Sequence, residues 1–353
     1  MHTLIYGCLL LCVVLLALNL VYMLRAGSRD RRHRKKLQKW KEQVEAVLDN
    51  GVTPYHQEKL RRRLTDFWQL MSYQDALDTL EGHPGLQSYL DSNHDVFQSL
   101  AAVYRHRPAV QRAYFAHVIA CRHPGRGRQH DQLAGILLDF LDNSTVSCRQ
   151  NVLLALCALG NSPAVEQTLR RFHKEGWYHN PRLLSDGLMT FFGNREGLVR
   201  RLWARAQPHE DLFRVTVVQF ATQLSGNFAA LFLDALKEED TPLETRFALI
   251  RYFQRHPAPQ AGTVLRELAL HPDGSGPAIA ACAALAKYPG PDTVAVLEEA
   301  LHSRSWNIRR NAAASLAELG VSRADLPMLA KSGDKYAEEI LAYMQERRKA
   351  VEK

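Results

Sequence analysis

"WNIRRNAAASLAELG", Trp306 to Gly320, sets two adjacent arginines before an alanine run and closes on Leu-Gly. Ile308, Ala312, Ala313, Leu316 and Leu319 follow the spacing of one apolar helical stripe, and Gly320 is placed to end the helix as its C-cap. Alanines within that stripe allow a second helix to approach closely. The segment therefore predicts a helix packed on other helices.

Sliding the chain against itself supplies the neighbours. "LLDFLDNSTVSCRQNVLLALCALG", Leu137 to Gly160, lies without a gap on "LEEALHSRSWNIRRNAAASLAELG", Leu297 to Gly320. The two share Leu137/Leu297, Leu141/Leu301, Arg149/Arg309, Asn151/Asn311, Leu156/Leu316, Leu159/Leu319 and Gly160/Gly320. Related segments are indexed by Arg112, Arg149, Arg182, Arg214, Arg246, Ala278 and Arg309, at intervals of 37, 33, 32, 32, 32 and 31 residues. Asn180-Pro181, Thr241-Pro242 and Gly276-Pro277 put proline where a helix begins, and Thr241 with Glu244 reads as a capping box. Each unit is predicted to be a helical hairpin.

These residues resemble a HEAT repeat: an apolar first helix, a short polar turn, an Ile/Val-Arg pair opening the second helix, small residues, then Leu and Gly. The resemblance is strongest over Leu297–Gly320 and Leu137–Gly160, moderate over Phe232–Phe253 and Leu265–Pro289, and carried by period alone at Arg112, Arg182 and Arg214. It implies an all-α fold, a right-handed α-solenoid over residues 95–348, with Arg149, Arg182, Arg214, Arg246 and Arg309 tying neighbouring repeats together. "HSRSWN" lacks the acidic residue that many such turns carry, so a continuous Asp–Arg ladder is not expected. Stacking buries a face that no hairpin covers alone.

Charge is localised. Arg25, Arg29, Arg31, Arg32, Arg34, Lys35, Lys36, Lys39 and Lys41 face only Asp30 within residues 25–41, so this collar carries the whole formal net charge of +8. The rest of the 353-residue chain is electrically balanced. Ahead of the collar, "LIYGCLLLCVVLLALNLVYML", residues 4–24, has no charge and one strongly polar residue, Asn19. A helix of that length spans about 31 Å, enough for a hydrocarbon core of about 30 Å. No Lys or Arg precedes it and "MLRAGS" is a poor cleavage site, which favours a single-pass, uncleaved transmembrane anchor over a signal peptide. Basic residues on the C-terminal side alone predict an outside N-terminus and repeats in the cytoplasm. The collar is expected to touch anionic lipid headgroups. Residues 42–94 read as an irregular helical cap, with Thr53-Pro54 starting a helix through "EKLRRRLTDFWQLMSYQDALDTL".

No metalloprotease, phosphate-loop, dinucleotide or nucleophile-elbow motif occurs, and no His/Cys cluster has zinc spacing, so no catalytic residue, cofactor or metal is predicted. Cys121, Cys148, Cys157 and Cys282 lack paired spacing and read as small core residues of a reducing compartment. His123 and His256 fall at unit ends, where turn chemistry explains them. Trp177 and Tyr178 lie between predicted helices, where exposed aromatics anchor partners. Gln223, Arg255, Lys287 and Glu318 each fall nine positions after a marker, which predicts a polar row along the concave face. Residues Trp177, Tyr178, Gln223, Arg255, Lys287 and Glu318 are thus the candidate partner-binding set.

The layout resembles bacterial membrane-anchored HEAT-repeat proteins, which implies a tethered scaffold or regulatory subunit for a membrane-associated protein partner, a membrane glycosyltransferase among the candidates. Two other readings remain. The HEAT-like enzymes include DNA-alkylation repair glycosylases and bilin lyases, but balanced charge after residue 41 argues against nucleic acid, and no small-molecule substrate is evident. A lipid sensor acting through the collar is the third.

Overall fold

The structure, a computed structural model, describes residues 13–16, 18, 34–128, 131–271 and 276–351. Among these residues every regular element is helical. Most of the predicted anchor, residues 4–24, and Arg25, Arg29, Arg31 and Arg32 of the collar lie outside them. Val13, Val14, Leu15, Leu16 and Leu18 are helical and exposed. No helix among the described residues is long and apolar enough to cross a membrane. The chain divides into two compact units, Met1–Val165 and Glu166–Lys353.

In the first unit, α1 (residues 34–50) docks through Trp40 and Val44, while Arg34, Lys35 and Lys36 stay exposed. It is followed by α2 (Pro54–Leu64) and α3 (Phe67–Thr79). The Trp40 indole N–H donates to Gln69 at 3.1 Å, and its ring meets Tyr73 edge-on with centroids 5.2 Å apart. Thr53 caps α2, its hydroxyl oxygen accepting from His56 N–H, with Pro54 in the first turn. The single helix expected to continue from there is instead two. Asp66 accepts from Gln69 N–H and begins α3, a side-chain cap that interrupts the helical run.

Beyond lie α4 (Leu86–Ser92), α5 (His94–Tyr104), α6 (Ala109–Arg122), α7 (Gln132–Asp139) and α8 (Val146–Leu159). First helices α2, α5 and α7 pack in sequence, and α6 packs on α8. The buried Arg122 guanidinium joins α6 to α3 through Gln74, at 3.1 Å, and Asp78. Hairpin stacking therefore reaches back into residues 42–94, where the sequence predicts an irregular cap. The α3 register was hidden by the Thr65–Asp66 break.

Second-unit hairpins repeat the pattern. The unit boundary falls within α9 (Ser162–Lys174), which leads to α10 (Pro181–Leu188), α11 (Arg195–Arg205), α12 (Asp211–Thr222), α13 (Ala229–Lys237) and α14 (Leu243–Arg255). Then come α15 (Pro259–Ala269), α16 (Gly276–Ala284), α17 (Pro291–Leu301), α18 (Trp306–Glu318), α19 (Pro327–Ser332) and α20 (Lys335–Val351). The even-numbered helices from α10 to α20 pack each against the next, an arrangement that fits an α-solenoid. Ala278, Ala281, Ala312 and Ala313 are fully buried, so the alanine run of the duplicated stretch does form a close helix contact. Gly160 and Gly320 both adopt φ of +75°, which a side chain would strain. The expected Thr241 capping box does not form. Pro242 occupies the cap position of α14, and the Thr241 hydroxyl donates to Ala235 O at 2.6 Å, pinning the turn to α13.

One buried ion pair makes the first unit sensitive to pH. His94 Nδ1–H donates to Pro124 O and Nε2–H to Asp131 Oδ1, both at 3.1 Å. Neither acceptor carries a proton to give back, so the doubly protonated ring fits best. Asp131 holds the imidazole above its ordinary value against the opposing effects of burial and Arg128. This raised value means that the pair stabilises the fold fully below the unfolded histidine pKa, about 6.5, and the contribution is lost as pH rises through the folded value. Asp131→Asn keeps the α7 cap on Leu133 N–H but removes the charge. Thermal melting at a series of pH values is expected to show wild type losing stability relative to Asp131→Asn as pH rises above about 6.5. Parallel curves would remove the pair as the cause.

Candidate protein-binding groove

Three adjacent second helices, α10, α12 and α14, enclose an open groove of about 490 Å³. Its charged wall comes from Arg182 at the start of α10 and from Arg251 and Arg255, four residues apart and so on one face of α14. All three are exposed, and no acidic partner is found for their side chains among the described residues. Asp186 is the one carboxylate lining the groove. Gln223 fixes the α12 side, donating to Ser185 Oγ at 3.0 Å and Asp186 Oδ1 at 3.2 Å. Met189 and Ala248 add apolar surface, and Gln219 stands beside Gln223 with its Oε1 sequestered and without a donor among the described residues.

The predicted polar row is therefore brought together in two halves. Gln223 and Arg255 share this groove. Lys287 and Glu318 are both exposed but bond to each other at 2.6 Å, which leaves neither as a free charge. Arg251 was missed, although its position one turn before Arg255 was a legible signal. Trp177 and Tyr178 do lie between α9 and α10, but they differ in exposure. Tyr178 is 70% exposed, whereas Trp177 is half-buried against Phe172, with the Arg171 guanidinium 5.7 Å from its ring centre. Trp177 belongs to packing rather than to an open anchor.

The arginines do not form one ladder. Arg309 reaches the next hairpin, pairing with Asp334 at 3.2 Å while also donating to Ser303 O. Arg112 likewise donates to Asn143 O, in the turn of the following unit, at 2.9 Å. Arg246 stays within its own hairpin turn, donating to Glu238 O at 2.8 Å and Glu239 O at 2.6 Å. Buried Arg214 lies 4.6 Å from the Trp203 ring centre, and burial lowers its guanidinium pKa. Arg182 is exposed in the groove, so its predicted ladder role is corrected. Arg149 is half-buried near the start of α8.

Asparagine supplies the recurrent tie instead. Asn151 donates to Ala113 O at 2.9 Å and Asn311 to Ile279 O at 2.8 Å. In both cases the donor sits two positions after one marker, and the acceptor one position after the preceding marker. Their identity in the duplicated stretch was the available signal. The histidines and cysteines follow the expected pattern with one exception. His123 ends α6 in the left-handed region, and His256 bonds Thr222 O at 3.0 Å. Cys148, Cys157 and Cys282 are buried, and burial pushes their thiols up, that of Cys282 to about 12. Cys121 is exposed beside His117, one turn earlier on α6, and is not a core residue.

Residues 277–342, from α16 into α20, match the family model of HEAT repeats. This match supports a HEAT-repeat family for that part of the chain. HEAT repeats are a protein-interaction architecture, generally non-enzymatic. No curated protein and no solved structure matches the chain.

Removing a half-buried side-chain hydrogen bond costs about 1 kcal/mol, whereas an exposed substitution stays within about 0.5 kcal/mol. Denaturant unfolding is therefore expected to show Asn311→Ala destabilising the protein by about 1 kcal/mol and Arg182→Ala leaving stability unchanged within about 0.5 kcal/mol. The reverse order would restore the arginine ladder and discard the asparagine tie.

Proposed function

We propose that this chain is a HEAT-repeat interaction scaffold or regulatory subunit, tethered to a membrane and holding a protein partner at its cytoplasmic surface. The carrying observation is the groove of α10, α12 and α14, where unpaired guanidinium groups stand on a rigid stacked scaffold. Repeat stacks work by offering extended surface rather than reactive groups.

Tethering rests on the sequence. The uncharged stretch 4–24 has the length of a span, and the collar that follows it sets the N-terminus outside and the repeats inside. Arg34, Lys35 and Lys36 are exposed on α1, available to anionic headgroups, while Trp40 and Val44 fasten that helix to the first unit. Confinement to the membrane plane raises the effective concentration of a membrane-bound partner, so modest affinity suffices. A membrane glycosyltransferase of envelope synthesis is the partner class that the resemblance to bacterial anchored HEAT proteins suggests.

A single fusion tests both parts. With alkaline phosphatase attached after Lys353, cells are expected to show no phosphatase activity, and the fusion purified in mild detergent is expected to carry one recurrent membrane protein in fixed ratio. Strong phosphatase activity reverses the topology. A purified chain that turns over a substrate alone favours the enzyme reading, and lipid binding that survives deletion of the repeats, with no recurrent protein, favours the lipid sensor.

A further inference from the structure

We infer that the α10–α12–α14 groove binds an acidic, extended peptide segment of the partner protein, its carboxylates paired with Arg182, Arg251 and Arg255. The inference rests on the scaffold reading above and gives its binding site a chemistry.

The excess of positive charge is local. Balanced charge over the chain after residue 41 conceals an uneven distribution, because many of the charges are consumed in pairs. Lys287 is neutralised by Glu318, Arg309 by Asp334, and Arg201 by Glu166 at 3.1 Å. The groove is different: three exposed guanidinium groups converge on it against the single Asp186, whose carboxylate already accepts from Gln223. Clustered arginines raise the local potential and attract anions, and their planar forks match carboxylates bidentately.

One feature favours a peptide over a phosphate polymer. Met189 and Ala248 give the groove apolar surface suited to side-chain methylenes between carboxylates. The groove is bounded as well: in the turn after α16 and at the end of α18 the corresponding row ends in the closed Lys287–Glu318 pair. An extended segment crossing three helices, spaced about 8–10 Å apart, fits a groove of about 490 Å³.

The test uses the full chain in mild detergent and a fluorescent oligoglutamate peptide carrying a benzophenone. Binding is expected to fall about tenfold or more in Arg251→Glu/Arg255→Glu, the loss of charge-assisted contacts. It should change little in Arg304→Glu/Arg310→Glu, an equal change of charge at exposed positions on another hairpin. Photo-adducts are expected at Met189 and on α12 or α14. Circular dichroism checks that each variant is folded. Adducts confined to residues 25–41, equal losses in both charge variants, or no binding would overturn the inference. Polyphosphate or a DNA oligonucleotide that binds the groove more tightly than the peptide would reassign it to a phosphate polymer. The outcomes separate from those of the scaffold reading: a recurrent partner retained equally by wild type and by Arg251→Glu/Arg255→Glu keeps the scaffold and removes only the acidic-segment assignment.

Discussion

Everything in this molecule depends on a helical hairpin having too little surface to bury its own apolar face. Within the second unit each second helix packs on the next, and between α16 and α18 the contact is lined by small buried residues: Ala278 and Ala281 on α16 and the alanine stripe of α18. Hydrophobic burial supplies the attraction, but it is non-directional and sets no register. Register comes from the few polar ties that cross between hairpins, such as Asn311 to Ile279 O and Ser315 to Cys282 O. The asparagine tie is used at two joints, by Asn151 and by Asn311, and Ser315 adds a second bond at the latter.

That repetition separates architecture from function. Residues facing the joint are constrained by packing, whereas those on the open side of the second helices are free to vary from hairpin to hairpin. In the turn after α16 and at the end of α18 they become an internal ion pair, Lys287 with Glu318, which closes the surface. On α10, α12 and α14 they become three guanidinium groups, two amides and one carboxylate around a groove. The same scaffold position thus carries a closed ion pair in one place and open guanidinium groups in another, without any change of fold.

The fold was largely legible in the sequence because periodicity and the duplicated Leu137–Gly160 and Leu297–Gly320 stretches report directly on helix phase. Legibility failed where a side chain acted against its local pattern. Asp66 split a helix whose apolar spacing ran on, and Thr241 turned its hydroxyl toward Ala235 O instead of capping α14. The site was legible only in part. Gln223 and Arg255 were found by phase, but phase says nothing of what a long side chain will meet: Lys287 met Glu318, Trp177 met Phe172, and Arg182 met nothing acidic among the described residues. Pairing of charges is a three-dimensional fact that a one-dimensional period leaves open.

The central claim is that stability passes from hairpin to hairpin through the second-helix contacts. Leu316 lies fully buried in α18, which packs on α16 and α20. Leu316→Ala should cost about 2–5 kcal/mol. Amide hydrogen exchange across the full chain is the most direct test. The account predicts that Leu316→Ala lowers protection in α16 and α20 as well as in α18, with the effect fading toward α12 and α10. Loss confined to α17 and α18, or spread evenly over residues 166–351, would contradict it.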